Sequence, residues 1–173
     1  MGKYIDFALA DRYYKEFALH TQRFILHPER LGALPDDPPL EWDSVQFLPG
    51  NDALVVRERG VYALIVSAAE GANAPRHGYV LYFGSTGQRA RSRTLRHRYK
   101  DYVGEQKRPK RPAIYALLNK WRDCLYFHFA PIADQLVDVE SVEERLNDSF
   151  IPPYSTLDFS AELRTAKGMW EKL

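Results

Sequence analysis

Two short aromatic–glycine segments, Gly60-Val61-Tyr62 and Tyr82-Phe83-Gly84, constrain this chain more than any other feature. Each lies in a run rich in β-branched and aromatic residues, the composition of a pleated, half-buried strand. Gly60 to Ser67 reads as one strand and Tyr79 to Gly84 as its return. Residues 68–78, which hold Gly71, Pro75 and Gly78, read as the loop between them. The pair predicts an antiparallel hairpin that brings Tyr62 and Tyr82 onto adjacent strands, where their hydroxyls can share one cleft.

The rest of the chain supplies mostly helices. Asp6 is placed to cap a first helix, and Leu9, Tyr13, Phe17 and Phe24 recur near helical spacing. That spacing predicts an aromatic face packed on the core, with the helix ending before Pro28. Pro35 to Pro39 reads as an irregular connector. Thr94 to Val103 reads as a helix, and Pro112 opens another whose apolar positions are Ile114, Leu117, Leu118 and Trp121. Leu125 to Phe129 alternates as a third strand. Ser141 and Glu144 form a capping box ahead of Leu146 and Phe150, and Pro152-Pro153 stops that helix. A short helix over Ala161 to Trp170 completes the chain. The expected architecture is α+β, a small three-stranded antiparallel sheet flanked by helices. Residues 1–57 are expected as an N-terminal helical extension and residues 58–173 as the main domain.

Composition sets the limits. A chain of 173 residues is long enough for one domain with a proper core, and 45% hydrophobic with 27% charged residues is ordinary for a soluble globular protein. No apolar run approaches the roughly 18 residues a membrane span needs, so no membrane partner is expected. Met1 to Ala10 carries Asp6 and lacks a basic start followed by an apolar block, so it does not read as a secretory signal. The single cysteine, Cys124, excludes an internal disulfide, fits a reducing cytoplasmic location and reads as a small core residue.

The net charge of +1 conceals an asymmetry. Arg89, Arg91, Arg93, Arg96, Arg98, Lys100, Lys107, Arg108, Lys110 and Arg111 fall within one segment, opposed only by Asp101 and Glu105, and the remainder of the chain is net acidic. A concentrated basic segment on an acidic molecule points to a face for a polyanion such as nucleic acid. A solvated helix and loop is the plainer account of the same charges.

Five residues in order carry candidate chemistry: Tyr62, Tyr82, Arg98, Tyr102 and Glu143. Taken singly, each has a structural explanation. Strand tyrosines are usually core, an arginine on a basic helix is usually solvated, and a glutamate near a helix start favours the dipole. Together they match the needs of phosphodiester cleavage. Arg98 offers a planar fork to phosphate oxygens. Tyr102 follows one turn later on the same helix face. Glu143 is the type of ligand a hard cation takes, with water and phosphate completing the shell. Arg96, Tyr99 and Glu144 are alternatives in neighbouring registers. Other site types fail. The five histidines form no His-Glu-x-x-His pair, and one cysteine cannot complete a zinc site with them. Gly84-Ser85-Thr86-Gly87 lacks the spacing and lysine of a P-loop.

The ordered pattern resembles the GIY-YIG nuclease family. Gly60-Val61-Tyr62 and Tyr82-Phe83-Gly84 are similar to its two strand motifs, with Gly60 and Gly84 as supporting positions. Leu95, Arg98 and Tyr102 match the spacing of its helix motif, and Glu143, Leu146, Pro152 and Ser155 occupy the offsets of its last motif. Ser155 stands where the family carries Asn, and the interval from Tyr62 to Tyr82 is longer than usual. The resemblance spans residues 57 to 156. It implies a divalent-metal-dependent endonuclease that hydrolyses DNA, with Mg²⁺ or Mn²⁺ held by Glu143. Tyr62 is then the general base or water-positioning group, Arg98 the phosphate neutraliser, and Tyr82 and Tyr102 the orienting groups. Restriction, defence and repair roles all use such a module, and a restriction role fits a homodimer. Two other readings stand beside it: a nucleic-acid-binding module on the same fold that has lost turnover, as Ser155 hints, and a protein-interaction domain whose basic face meets an acidic partner.

Overall fold

The aromatic–glycine hairpin forms, and it builds the middle and one edge of the sheet. A computed structural model describes residues 7–33, 38–68, 77–90, 92–156 and 159–170, without the side chains of residues 7–10 and 170. Asp6, residues 34–37 of the Pro35–Pro39 connector, residues 69–76 of the hairpin loop and Arg91 lie outside the described residues. The strands are β1 (Asp43–Gln46), β2 (Gly60–Ser67), β3 (Gly78–Thr86) and β4 (Leu125–Pro131), arranged β1-β4-β2-β3. Every neighbouring pair is antiparallel.

The sheet therefore has four strands rather than the three expected. The added strand, β1, comes from the stretch read as a helical extension. Its sequence, Asp43-Ser44-Val45-Gln46, has a single apolar residue and no alternation to betray it. Backbone pairing to β4 holds it, with Val45 opposite Phe127. Phe47, buried just beyond its end, anchors it through an amide that donates to the Leu125 carbonyl at 2.8 Å.

Alternation along the strands divides the core between two faces. One face carries Tyr62, Leu64, Leu81, Leu125, Phe127 and Phe129, and packs with residues of α3 (Leu95–Glu105) and α4 (Pro112–Lys120). The other carries Val61, Ala63, Phe83 and Ala130, beneath Val139, Val142 and Leu146 of α5 (Val139–Phe150). The β2–β3 register shifts once: Leu64 pairs with Tyr82 and Ile65 with Val80, which makes Leu81 an extra residue. A bulge of this kind re-aims the side chains beyond it. Leu81 and Tyr82 consequently both pack with the Tyr62 cluster, while Val80 and Phe83 serve the opposite face.

Three helical expectations need correction. The first helix, α1 (Phe7–His20), leaves Tyr13 43% and Phe17 67% exposed, so its aromatics do not pack on the core. They stack on each other instead, with ring centroids 6.1 Å apart. Phe24 lies beyond α1, and its ring sits 5.2 Å from that of Tyr79. α1 ends before Pro28, as expected, and a short α2 (Pro28–Gly32) opens at that proline. The start of α5 is capped by Asp138, not by a Ser141–Glu144 box. The Asp138 carboxylate accepts from the Glu140 amide and from the Ser141 hydroxyl, each at 3.0 Å. Asp is as good a cap as Ser, and here it lies three residues earlier. The C-terminal helix is α6 (Ala161–Trp170), as expected.

Gly84 lies opposite Tyr62 in the register. A Cβ there would fall 2.2 Å from the Tyr62 hydroxyl and 2.3 Å from Cζ of its ring. Tyr62 is fully buried and has nowhere to move. Gly60 is closed off in the same way by the Ala130 carbonyl oxygen, 2.2 Å from its missing Cβ. Gly104 on α3 has open space around it. We expect Gly84→Ala to destabilise the protein by about 1–3 kcal/mol through overpacking. Gly104→Ala should instead stabilise it by about 0.5–1 kcal/mol. Denaturant midpoints of the two variants moving in the same direction would contradict this account.

Candidate active site

The hairpin, the start of α3 and the first turns of α5 enclose a cleft of about 430 Å³ at the β3 edge of the sheet. Tyr62, Tyr82, Arg98 and Glu143 all line it, as do Arg89, Arg93, Glu140 and Glu144. Four of the five proposed reacting residues are thus brought together from β2, β3, α3 and α5. The fifth, Tyr102, lies directly behind Tyr62, fully buried, with the two hydroxyl oxygens 2.9 Å apart.

Tyr62 forms the floor of the cleft rather than projecting into solvent. Its ring stacks on Phe127 at 5.2 Å and meets Tyr102 edge-on at 5.8 Å. Burial, then the neighbouring Tyr102 and Tyr82, push its phenol well above the ordinary value of 10.0, and Arg98 only partly offsets them. Burial also raises Tyr102, opposed by the Tyr62 hydrogen bond and by Arg111 and Arg98. At neutral pH both are neutral phenols, able to donate and accept hydrogen bonds.

Arg98 is half-buried at the cleft wall, and its Nε is buried without a hydrogen-bond partner among the described residues. Its pKa is raised, chiefly by Tyr62 and against the effect of burial, so the guanidinium is permanently charged. A buried donor left unpaired is costly unless an acceptor arrives.

The other cations of the basic segment are placed differently. Arg89 reaches across to Glu140 at 2.8 Å. Arg93 pairs with Asp101, and Lys100 with Asp52 at 3.3 Å. Arg96 turns away from the cleft and donates to the carbonyls of Val55, at 2.8 Å, and Ala53. Arg111 donates to both oxygens of Glu105. Lys107, Arg108 and Lys110 stand exposed on the loop between α3 and α4. Of the neighbouring alternatives, Tyr99 is a core residue whose hydroxyl donates to the Leu48 carbonyl at 2.8 Å. His97 completes a capping box with Thr94 at the start of α3.

Ser155 does not line the cleft. It is fully buried, its hydroxyl has no partner among the described residues, and its carbonyl accepts from Lys167 of α6. Sequence reasoning missed Asn147, one turn beyond Glu143, which is fully buried and donates to the Glu143 carbonyl at 3.1 Å. A polar residue within the inward-facing pattern of Val139, Val142 and Leu146 was the available signal. It also missed Glu105, a nearly buried carboxylate whose isolation within a basic segment marked it out.

Glu140, Glu143 and Glu144 give the α5 wall oxygen donors only, the type Mg²⁺ and Mn²⁺ take. Among the described residues no group of three or more His, Cys, Asp or Glu is arranged to hold an ion. No helix among the described residues is long and apolar enough to cross a membrane. No family model, curated protein or solved structure matches the chain.

The tyrosines set a pH dependence. A phenol whose pKa is raised in the folded state keeps its proton when the unfolded chain has already lost it. Above pH 10 the unfolded state then binds fewer protons, and stability falls as pH rises. Below that value the contribution of Tyr62 and Tyr102 is fully present. Tyr62→Phe should cost about 0.5–1.5 kcal/mol at neutral pH, since one hydrogen bond is lost while Tyr102 keeps Arg111 beside it, and should flatten the alkaline loss. Urea titrations of wild type and variant at neutral and alkaline pH check this; parallel pH profiles would count against it.

Proposed function

We propose that this protein is a divalent-metal-dependent endonuclease that hydrolyses DNA phosphodiester bonds, with the cleft of Tyr62, Tyr82, Arg98 and Glu143 as its active site. The observation that carries the reading is Arg98: a permanently charged guanidinium with a buried, unpartnered Nε, set in a cleft with two tyrosines and a glutamate wall. A phosphodiester oxygen in the cleft is the kind of acceptor that a planar guanidinium fork suits. The resemblance to GIY-YIG nucleases in motif order agrees with this placement, and we infer the same family relationship.

In this reading Glu143, with Glu140 or Glu144 beside it, holds Mg²⁺ or Mn²⁺. The ion, when bound, supplies Lewis-acid stabilisation of oxygen charge on the phosphate. Arg98 neutralises the same phosphate. Tyr62 positions the attacking water: its raised pKa supports orientation rather than unaided proton abstraction. Tyr82 orients the phosphate or the water from the adjacent strand. Tyr102 fixes the Tyr62 hydroxyl from behind. Lys107, Arg108 and Lys110 are the principal contacts to the DNA backbone, since most other cations of the basic segment are engaged within the protein.

A second reading, a DNA-binding module on this fold without turnover, is favoured by one observation. Ser155 leaves its hydroxyl buried and unpaired where an Asn side chain would reach further. Incubation with supercoiled plasmid separates the two. Wild type should nick or cut in Mg²⁺ or Mn²⁺, and Glu143→Ala should bind with unchanged affinity and cut at least about a hundredfold more slowly. Binding without cleavage in either metal would support the second reading, and undiminished cutting by Glu143→Ala would remove the metal assignment. Affinity should fall steeply with added salt, as phosphate contacts require. Salt-insensitive binding would argue against a backbone-tracking face.

A further inference from the structure

The segment joining α3 to α4 contains a contact that the proposed reaction does not yet use. Glu105, the last residue of α3, is only 4% exposed although it is a carboxylate. It accepts from the Arg111 backbone amide at 2.8 Å, from Arg111 Nη2 at 2.7 Å and from Nε at 3.2 Å. The two residues thereby close a ring around the loop 106–110, which carries Lys107, Arg108 and Lys110. The Arg111 guanidinium also lies over the Tyr102 ring, 5.2 Å from its centroid. Tyr102 in turn holds the Tyr62 hydroxyl. A continuous line of contact runs from the exposed basic loop, through Glu105 and Arg111, to the tyrosine on the cleft floor.

Each link is specific to the residue types present. A guanidinium can donate from two nitrogens to one carboxylate in a planar fork while its charge lies over an aromatic ring, a geometry that the point charge of an ammonium does not fix. Glu105 is nearly buried while the Arg111 side chain is 44% exposed, so removing the guanidinium leaves a buried carboxylate without its partner. Burial pulls the Arg111 pKa down, but the Glu105 hydrogen bond and charge together with Tyr102 more than offset it, and the group stays charged beside Tyr102. Glu105 is one of two carboxylates in a segment otherwise filled with cations. A carboxylate there weakens simple attraction for DNA, which sets it apart from a residue present only to bind.

We propose that Glu105 and Arg111 are positioning residues that clasp the DNA-contacting loop and fix it relative to Tyr102 and Tyr62. This rests on the proposed nuclease reading and names the means by which backbone contact at the loop is registered with the cleft. The clasp acts through Tyr102 and touches neither the phosphate nor the metal. Its loss should therefore slow turnover without weakening binding, since misplacement by a fraction of an ångström is enough to cost rate.

The test uses the full chain with fluorotyrosine in place of Tyr102 and compares wild type with Arg111→Lys, Glu105→Gln and Lys110→Ala. Fluorine NMR follows the fluorotyrosine as a short DNA duplex is added, fluorescence anisotropy follows affinity, and plasmid cutting gives kcat and KM. Circular dichroism admits only variants that are folded; Glu105→Gln keeps the shape and an acceptor oxygen should Arg111→Lys fail to fold. Arg111→Lys and Glu105→Gln should bind DNA as wild type does, lose the duplex-induced shift at position 102, and lower kcat by about a hundredfold with KM unchanged. Lys110→Ala should weaken binding and retain the shift at saturation. Wild-type shifts and kcat in both clasp variants would overturn the proposal and leave the nuclease reading standing. A chain that binds DNA and shows the shift but never cuts would overturn the nuclease reading and leave the clasp standing. No DNA binding at all would overturn both.

Discussion

The hydroxyl contact between Tyr62 and Tyr102, made wholly inside the core, is the constraint on which the rest of the arrangement depends. It ties the central strand β2 to α3. Two large phenols can meet there only because the facing strand offers Gly84, where any side chain would occupy the position of the Tyr62 ring. Phe127 completes the stack from the other neighbouring strand. Once Tyr102 is fixed, Arg98 is fixed as well, because the two lie four residues apart on one helix face. The cleft cation is therefore placed by a hydrogen bond that itself lies outside the cleft.

How far the sequence revealed this follows from what each element had to signal. The hairpin was legible because its strands are apolar and each carries an aromatic–glycine segment. Thr94, Pro112 and the double proline after Phe150 marked helix ends by chemistry that acts locally. Arg98, Glu143 and the two cleft tyrosines were legible as a set, through order and spacing. The edge strand β1 was not, because a strand held by backbone pairing and by one following phenylalanine carries no periodic pattern. The face of α1 misled for the opposite reason. Its spacing was helical, but periodicity reports only which residues share a face and not whether another element covers it. The bulge at Leu81 also left no trace, although it decides which face Tyr82 serves. Bulges depend on register between two strands, which neither strand encodes alone.

Charge counting was the least faithful guide. Cations clustered in sequence are not thereby clustered in space. Arg96 holds the turn at residues 53–55, Lys100 meets Asp52, and Arg93 meets Asp101. These pairs are mostly exposed and contribute little to stability. They draw charge inward from the basic segment. What remains divides into two groups in space: three exposed cations on the loop between α3 and α4, and one half-buried arginine at the cleft wall.

That division explains why the cleft is insulated from proton exchange through its tyrosines. Tyr62 and Tyr102 are neutral well past physiological pH because burial disfavours their anions, and the nearby guanidiniums of Arg98 and Arg111 only partly counter this. The same guanidiniums stay charged because an arginine's ordinary pKa lies far above physiological pH and the surroundings here raise it further. Each group therefore keeps the protonation state that makes the other tolerable in the core: a fixed positive charge beside polar but uncharged hydroxyls. In the proposed reaction, a proton is then removed by way of the carboxylate wall or the water in the cleft, not through the buried tyrosine pair, whose pKa values are raised.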